Sequence, residues 1–202
     1  MENEMSEIFT KLQDAMRLVL LMTLVLAAPA FAEDKAVKPK SNEGFTKEQV
    51  LEKADGFFGE TTVNLAKAIE KVFAEQGSPN AIIAGEEVSA ALGVGVRYGQ
   101  GELQRYNGDM KPIFWQGPSV GFDMGANVSK VFTLVYHLDE MQQLMQRIPG
   151  VDGSFYVVAG VGVNYQQSGD LILAPIRTGV GLRAGASVGY VHYNDKKSWI
   201  PF

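Results

Sequence analysis

The stretch "GVGLRAGASVGY", residues 179–190, admits two readings that lead to different folds. Its first six residues, Gly179 to Ala184, fit the dinucleotide fingerprint G-x-G-x-x-G/A. Such a loop must open a helix, because the helix N-terminus is what holds the pyrophosphate. No helical period follows here. Read by twos, Val180, Leu182, Ala184, Ala186, Val188 and Tyr190 fall on one face, and Gly179, Gly181, Arg183, Gly185, Ser187 and Gly189 on the other. That strict alternation is a strand with one nearly bare face. The same habit recurs in "GVGVRYGQG" (93–101) and "GVGV" (160–163). Glycine on one face of several strands lets a sheet curve tightly or lets another element approach it.

Working outward, the sequence beyond Pro79 holds short apolar runs bounded by Gly, Pro, Asn or Asp. Strands are expected near 81–86, 91–98, 100–106, 111–116, 118–126, 129–137, 153–166, 170–177 and 178–193. "YNGD" (106–109) reads as a type I′ hairpin turn and "QQSGD" (166–170) as another hairpin turn. Between strands, "DEMQQLMQRI" reads as a short helix with Asp139 as its N-cap. Upstream, Thr46 and Gln49 form the capping box T-x-x-Q, and apolar residues from Val50 to Phe73 recur at helical spacing. Gly56 and Gly59 interrupt that pattern, so two helices or one bent helix are expected, ending at Gly77 ahead of Pro79. The fold class is α+β, mainly β: an N-terminal helical segment, then a small antiparallel barrel with one short helix inserted.

The N-terminus carries Arg17, the apolar run Leu18–Ala30, and Ala30-Phe31-Ala32, an A-x-A cleavage pattern. Residues 1–32 are expected to be a secretory signal peptide, 33–45 a flexible linker, and 46–202 a single domain exported to the periplasm. Met16 is a more natural start for such a signal than Met1, since residues 1–15 are acidic and long for a signal's first region. The chain has 202 residues, no cysteine and a formal net charge of −5. The charge opposes general nucleic-acid binding, and the lack of cysteine excludes disulfides, thiol catalysis and Cys-based metal sites.

Candidate chemistry is sparse. Gly117-Pro118-Ser119-Val120-Gly121 matches the nucleophile elbow G-x-S-x-G, with Asp170 and His192 following in triad order. An elbow needs a strand before the serine and a helix after it, and "GFDMGANVSKVFTLVY" reads as more strand. His137 and His192 have no ligand-spaced partners, so no metal site or cofactor is expected. Arg97, Arg177 and Arg183 can line one sheet face and meet an anionic ligand, with Trp115 and Asp123 as further candidate ligand-binding residues. Glycines such as Gly93, Gly95, Gly162 and Gly181 leave room in a barrel, whereas Phe114, Trp115, Phe122, Phe132 and Tyr165 can fill it.

The segments "GVRYGQGEL", "FWQGPSVGFDMG", "SKVFTLVYHLDEMQQL", "RIPGVDGSFYVVAGVGVNYQ" and "LAPIRTGVGLRAGASVGYV" resemble the envelope integrity protein A family. With "FFGETTVNLAKAIE" and "GSPNAIIAGEEVSAAL", the resemblance spans roughly 45–193. It implies a small periplasmic barrel of a Gram-negative envelope that supports envelope integrity, without catalytic activity or an active-site motif. The Gly-rich strand, tryptophan and following sheet are also similar, more distantly, to the SYLF lipid-binding domain. That similarity implies lipid or small-ligand binding, with Lys35, Lys38 and Lys40 as a thin basic segment. The expected partner is an envelope lipid, glycan or protein, with peripheral membrane contact. The expected function is non-enzymatic: binding an envelope component. A lipid-binding barrel is the second reading and a serine hydrolase the third.

Overall fold

The computed structural model describes residues 44–59, 62–151, 154, 156–158, 161–178 and 189–198; at 90–94, 119–127, 158 and 178 it describes the backbone. The expected signal peptide, most of the linker and the stretch 179–188 with Arg183 lie outside these residues. Ser41–Phe202 is one compact unit.

Two helices open the fold. Helix α1 (Lys47–Phe58) starts at Thr46, whose hydroxyl accepts from the Gln49 amide at 3.3 Å while Gln49 Oε1 accepts from the Thr46 amide at 2.9 Å. This is the expected capping box. Helix α1 runs through Gly56 and ends at Gly59, whose φ of 86° is left-handed and whose amide donates to the Asp55 carbonyl. Helix α2 (Val63–Gln76) is capped by Thr62 and stops at Gly77. The Gly59 break therefore makes two helices, and Gly77 ends the second, as the sequence predicts.

The six strand-like runs from 81 to 137 form two long strands, β1 (Ala81–Arg105) and β2 (Met110–Tyr136). They pair antiparallel from Ala81↔Val135 to Gln104↔Met110, with a register shift at Ala90/Ala91. The glycines expected to bound separate strands instead sit within the ladder. Gly85 and Gly101 lie sixteen residues apart on β1, and a Cβ on either would strike the other's backbone. An extended strand of that length covers about 50 Å, so β1 curls back on itself. The connecting turn is not type I′: Gly108 takes φ 95°, Asn107 does not have positive φ, and Gly108 N donates to Arg105 O at 3.0 Å. A longer loop with glycine as its single left-handed residue results.

The rest of the sheet consists of β3 (Arg147–Pro149), β4 (Tyr156–Val158), β5 (Val161–Val163), β6 (Gln166–Ser168), β7 (Leu171–Thr178) and β8 (Tyr190–Asn194). β7 pairs with the second half of β2 and β8 with its first half, so one long strand serves both sides of the curl. β3 pairs with β8, and the bridge Gly150↔Gln166 brings the β3 side to β6. The Ser168–Leu171 hairpin turns at Gly169, φ 60°, as expected. "DEMQQLMQRI" is not a helix capped by Asp139. It is a single 3-10 turn, Met141–Gln143, followed by β3, with Gln143 Oε1 taking the Asp139 and Glu140 amides at 2.7 and 2.9 Å. The expected helix is cut short because Leu144 and Ile148 are drawn into the barrel core.

Two apolar cores lie on opposite faces of the sheet. Inside the barrel, Ile83, Leu103, Ile113, Val135, Leu173 and Val191 pack with Leu138, Leu144 and Ile148. Outside, Val50, Ala54, Leu65, Ile69 and Val72 of the helices cover Ile82, Phe132, Leu134, Tyr136 and Ile176. Among the described side chains of β1 and β2, odd positions thus face inward and even positions outward. The helical insert is closed by a clasp: the Phe45 amide donates to the Pro79 carbonyl at 2.8 Å, and the Asn80 amide to Val135 O at 2.9 Å. No helix among the described residues is long and apolar enough to cross a membrane.

Candidate functional site

Along the inward face, polarity changes with position. β1 proceeds from Ala81 and Ile83 through Gly85 to Glu87, and β7 from Leu171 and Leu173 to Arg177. β1 returns with Arg97, then Gly99, Gly101 and apolar Leu103. Period-2 alternation therefore gathers Glu87, Arg97 and Arg177 at one end of the interior, with Leu138, Leu144 and Ile148 in the apolar core below.

Glu87 is the centre of this cluster. It is 6% exposed; Arg177 Nε lies 3.3 Å from its Oε1, and Trp115 Nε1 donates to its Oε2 at 2.8 Å. Burial pushes the Glu87 pKa up. The pull of Arg177 and Arg97, with the bonds from Trp115 and Arg177, outweighs it and holds the carboxyl below its ordinary range. Burial lowers the Arg97 pKa, opposed by Glu87 and reinforced by Arg177. Arg177 Nη1 also donates to Asn164 Oδ1 at 2.7 Å. Arginine offers no acceptor, so this bond fixes the orientation of the Asn164 amide. Tyr193 stands beside the cluster with its ring centroid 6.0 Å from that of Trp115; burial pushes its hydroxyl up to about 12.

Two glycines border the cluster at close approaches. The Trp115 indole covers Gly99, its register partner, and a Cβ there would overlap the ring. At Gly117, the register partner of Arg97, a Cβ would strike the Tyr190 carbonyl oxygen and touch Arg97 Nε at 3.4 Å, so this glycine admits the β8 backbone beside the arginine. Among the described residues, two buried donors of the cluster, Arg97 Nε and Asn164 Nδ2, have no hydrogen-bond partner.

Of the five candidate ligand-binding residues, the structure brings Arg97, Trp115 and Arg177 together. Asp123 is placed by its backbone alone, opposite Ala91, and Arg183 lies outside the described residues. Glu87 is the member that sequence reasoning missed. In "AIIAGEEV" it looks like half of an exposed acidic pair, and the signal that finds it is its odd position on the glycine-bearing face. Of the bulky residues expected to fill the barrel, Trp115 does so. Phe132 and Tyr165 pack in the outer core instead, and Phe114 lines a cleft that Gly99 and Trp115 also border. That cleft, about 360 Å³, is lined by Glu86, Val88, Tyr98, Phe114, Gln116 and Lys197 among others.

Ser119 pairs with Gly95 in the middle of the uninterrupted β2, so its backbone is not a strand-to-helix elbow. Asp170 sits in the β6–β7 turn, where its carbonyl meets His137 Nδ1 at 2.9 Å. Among the described residues no group of His, Asp and Glu is arranged to hold a metal ion.

The model of the family described as "Envelope integrity protein A" matches residues 43–202. A solved structure of a beta-barrel-like, uncharacterized protein from Brucella abortus is similar at 45% identity and TM-score 0.71, over 79% of this chain and 99% of that one. A search of curated proteins gives no significant match.

Proposed function

The chain belongs to the envelope integrity protein A family, and from that premise we propose that it serves the cell envelope as a binding protein rather than an enzyme, taking an anionic envelope component at the Arg97–Arg177 end of the barrel interior. Family membership supports a place at the cell envelope, and the reading includes a periplasmic location reached through the N-terminal signal.

The observation that carries the reading is the pair of buried donors without partners among the described residues, Arg97 Nε and Asn164 Nδ2, beside the Glu87–Arg177 ion pair. Leaving a buried donor unpaired costs about 1–3 kcal/mol. Two guanidinium groups face one carboxylate among the described residues, so an incoming anionic oxygen both meets free donors and offsets charge. Glu87 and Trp115 are bonded to each other and hold the arginines in place, a positioning role. The displaced ionisations here belong to groups tied into one mutual network, and Ser119 lacks the elbow backbone; both favour binding over catalysis.

Native mass spectrometry of the full chain extracted from Gram-negative envelopes, followed by organic extraction, tests the reading. A stoichiometric anionic species is expected on the wild type, with much reduced occupancy on an Arg97→Gln variant that still unfolds cooperatively. A bare protein mass in both counts against it.

A further inference from the structure

We infer that the interior site takes a carboxylate carrying an O–H or N–H donor on the neighbouring carbon, the chemistry shared by a hydroxy acid and an acylamino acid such as a peptide C-terminus. The inference rests on the anion reading above and deepens it by naming the class of ligand.

Gln166 is 1% exposed, and its Oε1 is a buried acceptor without a partner among the described residues. Its direction follows from alternation. Val161, Val163 and Tyr165 pack in the outer core, so the even positions Asn164 and Gln166 face the interior. Two observations agree. Asn164 meets Arg177 inside, and Gln166 is the register partner of Leu173, a residue of the inner core. Folded chains rarely leave such a buried polar atom bare.

The interior thus offers bare atoms of both kinds. Arg97 Nε and Asn164 Nδ2 donate, and Gln166 Oε1 accepts. A simple anion satisfies the donors and leaves Gln166 bare. A ligand that both accepts and donates completes the set. Asn164 and Gln166 are two residues apart, about 7 Å along extended backbone, and both amides project inward. An anionic oxygen and a donor on the adjoining carbon suit that short span. A donor at the far end of a long ligand would have to enter the apolar core, where Ile148, Leu171 and Leu173 pack.

Charge selects among such ligands. Among the described residues the guanidinium groups of Arg97 and Arg177 face the Glu87 carboxylate alone, two positive charges against one negative. Tyr193 beside them stays a neutral phenol. A monoanion closes that balance. A dianionic phosphate monoester overshoots it and buries an uncompensated negative charge, which is costly. A phosphodiester is a monoanion with no donor beside its anionic oxygens. A carboxylate with a neighbouring donor meets both requirements.

Trp115 reports on the site, because its Nε1–H is bonded to Glu87. In proton–nitrogen correlation spectra of the full chain its indole signal is one of two, and a Trp199→Phe variant assigns it. The probes are propanoate, lactate, N-acetylalaninate and dimethyl phosphate. Lactate and N-acetylalaninate are propanoate with a hydroxyl or an acylamino group on the neighbouring carbon. One of these two is expected to bind about tenfold tighter than propanoate and dimethyl phosphate, the worth of one hydrogen bond to a buried acceptor. Which one is favoured separates a hydroxy acid from an acylamino acid. In Gln166→Leu the acids with and without the donor are expected to bind alike. Equal binding of all three acids by the wild type overturns the inference, leaving the anion site intact and assigning Gln166 Oε1 to a trapped water. A preference that survives in Gln166→Leu also overturns it, since the donor then goes elsewhere. If none of the probes moves the Trp115 signal, the anion reading itself falls and this inference falls with it.

Discussion

Glu87 decides the state of the interior. Its carboxylate is buried, yet two guanidinium groups and the Trp115 indole keep it ionised. Replacing it by glutamine leaves Arg97 and Arg177 buried without their counter-charge. Removing one partner of such a pair costs about 3–5 kcal/mol, and Glu87→Gln is expected to lower the urea midpoint accordingly. The pH dependence has a definite sign. A carboxyl whose folded pKa lies below its ordinary 4.5 contributes stability that is present above that value and lost as pH falls through the folded pKa. Wild-type stability should therefore drop on acidification below about pH 4.5, and Glu87→Gln should show a shallower drop; equal slopes in urea titrations across pH 3–6 would contradict this assignment. Glu87 was illegible in the sequence because its partners come from β2 and β7, 28 and 90 residues away. Arg97, Trp115 and Arg177 were legible as candidates: arginine and tryptophan on glycine-rich alternating strands have few places to go except across to a glycine or an opposite charge.

At the level of elements, the helices could be read directly, since a capping box, a 3.6 period and Gly77 are local signals that the structure satisfies locally. The strands could be read as strands but not counted. Gly99 and Gly117 read as boundaries between strands, whereas both lie within the ladder, Gly99 under the Trp115 indole and Gly117 against the Tyr190 carbonyl. The 3-10 turn at Met141–Gln143 was read as helix because its apolar spacing suits one; burial of Leu144 and Ile148 in the barrel overrides it. The Gly99–Trp115 contact provides the test at this scale. In Gly99→Ala the added methyl meets the indole, and overpacking of this kind costs about 1–3 kcal/mol. The same change should weaken the Trp115–Glu87 bond and alter tryptophan fluorescence. An alanine variant with wild-type stability and emission would show that the indole does not lie on Gly99 in solution.

Over the whole molecule, one sheet holds two cores, and phenols on each side report on it. Burial raises the hydroxyls of Tyr193 inside and Tyr156 outside to about 12, and that of Tyr136 beyond the usual range. The phenols of Tyr156 and Tyr165 lie beside Glu75 of α2, which accepts a bond from Tyr165. A phenol whose folded pKa exceeds about 10 contributes stability that is complete below pH 10 and declines as pH climbs toward 12. Of the seven tyrosines, only part should ionise near pH 10 in an absorbance titration, the rest appearing together with the loss of near-ultraviolet dichroism. Seven independent phenols titrating near 10 would contradict both cores. The clasp between Phe45 and Pro79 has a mechanical meaning. The chain enters and leaves the helical pair at one point, and Asn80 passes directly into β1 and onto β2. Tension applied through the segment before Gly44 meets the Phe45–Pro79 bond before it reaches the helices. While that single bond holds, the helices are shielded from the load; once it parts, they are the next elements to be stretched.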